Sequence, residues 1–486
     1  MTQNHKSYLN NRLSIAMLSL LFVFAFSCKK GELLPNMAPE TAISLEKIDL
    51  TGNNRLNSTV NLTWFGTDVD GFIQYYEIKI NEGEWLKTNI QDSTFLFNID
   101  PDQDSTNIDF YVRAVDNEDV ADPTPAYLKI PLKNSPPVVR IDDGTLPLDT
   151  TNLVITFRYR ATDPDGNSTI KQAFLKANDG DWQEIDLNQK LISVIPSNTT
   201  VEGSGMAKVY YGLNTESSVE INGFVNGGDN ILQMKVVDFA NSESAIDSTD
   251  VIFVKSQMGD LLLVGGHNAS ITSEYEKLVL DNYPNSDFVD FAGNGGLNQP
   301  RFWNPSFRLL ALNYDKVFFH TDEANFSNPL SGADGKLLDF AAPIIQELID
   351  NNKKVLISTA FATGTNLDII GGILSIDSFS PSKGQAFFTN DSFAFSQDPT
   401  YNDLQPANFL LAADPFYAAL DAEVFYRANL TPSGGWTGPN SIAIRRRNSS
   451  GNINLVLFSV ELHKLNKLKS NQNQVISKIL NEAFNW

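Results

Sequence analysis

Residues 260–267 read Asp260-Leu261-Leu262-Leu263-Val264-Gly265-Gly266-His267, four consecutive apolar residues closed by two glycines. An unbroken apolar run of this length is what a strand covered on both faces requires, because a half-exposed strand alternates polar with apolar residues. Lys316-Val317-Phe318-Phe319-His320 and Lys354-Val355-Leu356-Ile357-Ser358 repeat the pattern. Between them, 273–282 has helical character, and Leu337, Leu338, Ala341, Ile344, Ile345 and Leu348 recur at the spacing of one helix face. Residues 287–291 read as another strand, 442–446 and 453–460 as a hairpin about Asn448-Ser449-Ser450-Gly451, and 475–484 as a closing amphipathic helix. Strands alternating with helices at this pitch predict a three-layer α/β doubly wound domain over 257–486.

Upstream the grammar differs. From about 40 to 255, short runs of alternating polarity are separated by Asp, Asn, Gly and Pro, the pattern of antiparallel sandwiches. A set of landmarks occurs twice. Thr67-Asp68-Val69-Asp70-Gly71, then Trp85, then Val115-Asp116 answer to Thr162-Asp163-Pro164-Asp165-Gly166, Trp182 and Val237-Asp238. The order of strand, Asp-Gly turn and Trp resembles fibronectin type III or immunoglobulin-like modules of bacterial surface proteins. We therefore expect two tandem β-sandwich modules, 40–134 and 135–256, the second with an insertion between about 186 and 230. Asn134-Ser135-Pro136-Pro137 marks the joint, since paired prolines stiffen a linker and cannot extend a central strand. Asp68, Asp70, Asp163 and Asp165 are calcium candidates by residue type. The alternative is a tight turn, for which Asp-Gly supplies the backbone freedom. Trp85 and Trp182, at equivalent places, point to a shared packing role.

The N-terminus reads as an address. Lys6 and Arg12 precede an apolar run from Leu13 to Phe26, too short to span a bilayer, so 1–27 is expected to be a signal peptide. Ser27-Cys28 resembles the lipobox of bacterial lipoproteins, in which the thiol is acylated and heads the mature chain. Cys28 is thus the lipidation candidate, with 28–39 as linker, and the pattern is similar to that of Bacteroidetes lipoproteins of the outer membrane. Which leaflet it faces, periplasmic or surface, stays open. The chain has 486 residues, 42% of them hydrophobic, with one cysteine and a net charge of -22. That composition excludes a disordered chain, an internal disulfide and a general nucleic-acid binder, which needs a basic surface. Removing 1–27 takes away two basic residues and no acid.

Leu261–266, the helix before Lys353-Lys354-Val355 and Leu455-Val456-Leu457-Phe458-Ser459-Val460-Glu461-Leu462-His463 together resemble the class I glutamine-amidotransferase-like fold. The resemblance implies a nucleophilic Cys on a turn after a strand, with His and Glu after a late strand. Here the turn is 358–364 and holds no Cys, and Glu461-Leu462-His463 stands where the family has His-Pro-Glu. Cysteine-based amide hydrolysis is excluded, because no thiolate is available. Each of the three mature histidines follows an apolar run. In an open sheet of flavodoxin-like order the first and third strands are neighbours, so His267 and His320 would face each other across the crevice where ligands bind. Asp322 and Glu323 are near in sequence, and His463 follows the last strand. Such a set suits a metal or acid–base chemistry; three locally bonded histidines are the plain alternative. Ser358 and Thr359 lack a Gly-x-Ser-x-Gly elbow, and Gly265-Gly266 lacks the full dinucleotide fingerprint. Trp303 and Trp436, in loops, are ligand-binding candidates, and Arg445-Arg446-Arg447 is expected at a solvated hairpin with Arg446 opposite its neighbours.

These readings predict a membrane-anchored envelope lipoprotein acting as a non-catalytic binding or assembly module. Its expected partners are the membrane, through the lipid, and an envelope protein complex or polysaccharide; no nucleic acid and no cofactor are expected. The alternative is a hydrolase of amidotransferase-like fold using the strand-end His and acid residues on a carbohydrate or amide.

Overall fold

The computed structural model describes residues 35–45, 59–97, 99, 103, 105–292, 303–322, 325–327, 332, 334–361 and 365–486. The signal segment, Cys28, most of the linker and Glu323 lie outside the described residues. The chain divides into two compact units, 1–135 and 136–486.

The first unit is a sandwich of two antiparallel sheets. One orders Glu40–Leu45, Thr59–Thr67 and Asp92–Leu96; the other orders Leu86–Thr88, Ile73–Ile80, Ser105–Asp116 and Ala126–Lys133. Period-two alternation decides the inner faces: Val60, Leu62 and Trp64 on one sheet meet Ile108, Phe110, Val112 and Ala114 on the other, all buried.

The second sandwich repeats the plan. Ile155–Thr162 pairs with Val138–Ile141 and Leu191–Pro196, and Ile170–Ala177 pairs with Gln183–Ile185 and Leu232–Asp238. Its insertion is the long hairpin Gly203–Tyr211 and Thr215–Asn226, which adds two strands beyond Leu191–Pro196. The two Asp-Gly landmarks use their glycines differently. Gly166 has φ of 112°, a conformation that favours glycine, whereas at Gly71 a Cβ would lie 2.4 Å from Asn117 Oδ1 and 2.6 Å from Asp68 Oδ2. The positive backbone angle expected of both turns therefore belongs to the second alone.

Past the sandwich lies an eight-stranded mixed sheet with helices on its faces. Its order is Ser286–Asp290, Leu261–Gly266, Lys316–Thr321, Lys354–Ser358, Ile453–Phe458, Ser441–Arg447, Ala422–Ala428 and Ala394–Ser396. The first five strands are parallel and the last three antiparallel. All residues of the 261–266, 316–321, 354–358 and 453–458 strands are buried, as their apolar runs require. The parallel strand 453–458 puts Glu461 and His463 at the same sheet edge as His267 and His320.

Sandwich and α/β layer share a core within this unit. Leu153, Val154 and Ile195 are buried in one cluster with Phe307, Leu310, Tyr314 and Val317. Polar contacts close the seam: Asn152 Nδ2 donates to the Phe288 carbonyl at 3.1 Å, and Ser306 Oγ meets Thr156 Oγ1 at 2.8 Å.

Candidate active site

The crossover from the 261–266 strand into the helix Ala269–Asn282 is short and capped. Asn268 accepts hydrogen bonds from the Ser270 and Ile271 amides through its side chain, satisfying donors that the first turn leaves open. His267, one residue earlier, is held at the strand end. Parallel pairing aligns Gly265 with His320 on the neighbouring strand, and Gly265 has no side chain to intervene: a Cβ there would meet His320 Nε2 at 3.1 Å.

The two imidazoles meet through their Nδ1 atoms at 2.9 Å, with rings nearly parallel and centroids 5.2 Å apart. On its other side, His267 Nε2 lies 2.9 Å from Glu461 Oε1, and Lys464 is ion-paired to Glu461 Oε2. All three members of the chain Glu461–His267–His320 are buried. Burial, opposed by the Asp322 carboxylate, holds His267 down at about 4. Burial and the neighbouring His267 and His463 push His320 well below the ordinary histidine value. Both are therefore neutral near pH 7, and the contact with Glu461 is a hydrogen bond rather than an ion pair.

Neutrality orders the protons. An ionised Glu461 only accepts, so His267 carries its proton on Nε2 and presents a bare Nδ1. His320 must then donate from Nδ1, which leaves its Nε2 as a lone pair. That atom is buried and has no hydrogen-bond partner among the described residues.

A second chain ties the same strand ends together. Ser358 Oγ accepts from the Leu462 amide at 2.8 Å and lies 2.7 Å from Tyr275 Oη, which in turn accepts from the His463 amide at 3.3 Å. Tyr275, from the helix, stacks on His320 with centroids 4.2 Å apart. His463 packs edge-on to His267 at 5.3 Å and is only half-buried. Burial lowers it to about 4, the nearby His267 adds to that, and Asp322 opposes it. His463 and Tyr275 border a groove of ≈ 280 Å³ whose other walls include Glu274, Lys277, Asp281, Asn466 and Lys469. His267, Glu461 and His463 each offer one ligand atom, and these atoms lie within 4.8 Å of one another.

The structure thus brings together His267, His320 and His463, with Asp322 acting electrostatically on the first and third. Glu461 and Tyr275 were missed as functional residues. Glu461 follows the mostly apolar run 453–460, a signal obscured by reading it against the amidotransferase pattern. Tyr275 sits on a buried helix face, where an aromatic reads as core. Ser358 and Thr359 are fully buried, and Ser358 is saturated by its contacts, so neither hydroxyl stands ready as a nucleophile.

Other sequence candidates fall elsewhere. The view of Trp303 as a ligand platform is corrected: it is 3% exposed, donates from Nε1 to the Phe340 carbonyl at 2.8 Å and packs on Phe291 and Phe307. Trp436 is half-buried and lines a cavity of ≈ 110 Å³ with Ser380, Ser382, Asp414 and Pro415. In the sandwiches, Asp68 Oδ1 accepts from the Asp70 amide and Asp163 Oδ1 from the Asp165 amide, bonds that shape turns, while Asp70 Oδ2 accepts from the distant Met37 amide. Trp85 and Trp182 do share a role, each lying under cations: Arg113 at 4.3 Å, and Lys176 and Lys235 at 5.1 and 5.3 Å. Arg445 and Arg447 pair with Glu423, while Arg446 turns the other way toward Asp421. The arginines are ion-paired rather than merely solvated.

No family model matches the chain, and no curated protein does. Solved structures similar to it include the fibronectin(III)-like modules of Clostridium thermocellum CbhA, at 14% identity and TM-score 0.16, covering 44% of this chain and 94% of that one. Carbohydrate-binding modules of the β-sandwich superfamily match at 12% identity and TM-score 0.18, over 46% of this chain and 86% of theirs. A two-domain fibronectin type III segment of chicken tenascin matches at 13% and 0.19, over 45% and 99%. Likenesses this distant carry no argument, and the sandwich assignment rests on the strand pairing above.

Proposed function

We propose that the chain is a lipid-anchored cell-envelope protein whose α/β head is a hydrolase acting on a carbohydrate or amide, with the sandwich modules as spacers. The observation that carries the reading is the 2.9 Å contact between His267 and His320, set on Glu461 and beside a half-buried His463 at a polar groove. Neutral imidazoles at a ligand crevice are the resting form of a general base. His463, reaching the groove, takes the proton from an attacking water. Asp322 and Glu461 stabilise the imidazolium that forms. The groove's mixed amides and charges suit a substrate held by hydrogen bonds. With no cysteine in the 358–364 turn, water stands in place of a thiol as the nucleophile.

The test is turnover by the purified mature chain of p-nitrophenyl glycosides, p-nitroanilides and envelope polysaccharide or muropeptide pools. The reading predicts that His463→Asn and Glu461→Gln each lower turnover at least about 100-fold, the scale of a general base, without changing thermal unfolding. A second reading, non-catalytic glycan capture, is favoured by Trp436 in its polar cavity. Polysaccharide retention that falls in Trp436→Ala, with no turnover by the parent chain, would establish that reading instead.

A further inference from the structure

We propose that His267, Glu461 and His463 form a binding site for a divalent transition metal of zinc type, with His320 positioning the His267 ring. The inference rests on the reading of this crevice as a hydrolytic site and names the ion it would use. With the ion bound, His463 would serve as a ligand instead of the base, and the ion would lower the proton affinity of the water.

Two imidazoles and one carboxylate are the donor set of open, catalytic zinc sites, in which three protein ligands leave a position for water. Oxygen-rich sites for calcium or magnesium look different. The three ligand atoms already lie within 4.8 Å of one another, and His267 Nε2 and Glu461 Oε1 are 2.9 Å apart. Ligand distances of about 2.0–2.2 Å in a tetrahedral site put donors roughly 3.3 Å apart, so a small adjustment of side chains suffices. His267 directly follows the Leu261–Gly266 strand, while Glu461 caps, and His463 lies within, the single 3-10 turn Leu462–Lys464 that follows the Ile453–Phe458 strand.

The surroundings supply what such a site needs. A ligating histidine keeps its ring oriented by a hydrogen bond at its other nitrogen, and His267 has that partner in His320 Nδ1. Tyr275, stacked on His320, holds that partner in turn. Burial keeps both His267 and His463 unprotonated, with Asp322 opposing at each, so both imidazoles present neutral nitrogens of the kind a metal takes. Binding the ion on His267 Nε2 displaces that nitrogen's proton and reverses the order of protons along the pair: His267 then donates from Nδ1, and the lone pair of His320 at Nε2 becomes the protonated end. His463 lies at the groove, which gives the ion and a substrate a common approach.

The experiment is calorimetric titration of the chelator-treated mature chain with Zn²⁺, beside Mg²⁺ and Ca²⁺. The expected result is one Zn²⁺ bound with a Kd at or below about 1 μM, on the principle that such sites favour zinc over hard ions. His463→Ala and Glu461→Gln should each weaken it by more than about 100-fold. His320→Phe, which removes only the orienting bond, should weaken it about 10- to 100-fold. No zinc uptake by the folded parent chain, or uptake unchanged in His463→Ala, overturns the site. Zinc bound at these residues with no hydrolysis of any substrate removes the hydrolase reading and leaves the metal site. Hydrolysis that persists undiminished after chelation removes the metal site and leaves the hydrolase.

Discussion

At the scale of single residues, Gly265 decides the most. With no side chain it allows His320 to lie against the strand end, and any Cβ would contact both His320 Nε2 and Asp290 Oδ1 at 3.1–3.2 Å. Burying three histidines as neutral groups has a thermodynamic signature. In the unfolded chain they titrate near 6.5, in the folded chain His267 and His463 near 4, and His320 well below its ordinary value. As pH falls below 6.5 the unfolded state takes up protons that the folded state refuses. Stability is therefore full above about pH 6.5 and is lost as pH falls toward 4, by up to about 1.4 kcal/mol per pH unit per histidine. Thermal unfolding between pH 7.5 and 4.5 should show a steeper decline for the parent chain than for His320→Gln; parallel curves would contradict the burial of neutral imidazoles. The histidines were legible because each follows an apolar run. Their partners were not, because nothing in the residue order says that Glu461 reaches across from another strand to His267.

At the scale of elements, the apolar runs at 261–264, 317–319 and 355–357 declared a sheet buried on both faces, and the structure has it. Boundaries moved where caps outrank periodicity. The helix read from 273 begins at Ala269, because Asn268 closes its first turn. Asn268→Ala should cost about 1 kcal/mol by urea unfolding, and Asn268→Asp, an equally good cap, should restore it. An Ala variant as stable as the parent would mean that the packed face alone sets the helix start. Less legible was 376–433, where short strands with broken alternation build two small sheets and extend the main one: Ile376–Phe379 with Phe416–Ala418, and Gln385–Phe388 with Leu410–Ala413 and Thr431–Ser433. Strands of three or four residues leave no period to read.

At the scale of the whole molecule, the repeated landmarks disclosed two related sandwiches, but repeats say nothing of what each copy packs against. The seam between the second sandwich and the α/β layer is apolar: Leu153, Val154 and Ile195 belong to the same core as Phe307 and Tyr314. We expect 136–486 to unfold in one cooperative transition, and 257–486 alone to melt well below it or to aggregate, because its half of the seam would face water. Equal melting temperatures, read by calorimetry on the two fragments, would show the seam to be dispensable. No helix among the described residues is long and apolar enough to cross a membrane.

The seam has a mechanical consequence. Lys255 ends the last sandwich strand and Leu261 begins the strand that leads to His267. Tension arriving along the backbone from the N-terminal side is borne first by interlocked side chains at Leu153, Val154 and Ile195, before it can shear the parallel strands. An α/β layer loaded from Pro136 would therefore keep its imidazoles in register until the seam gives way.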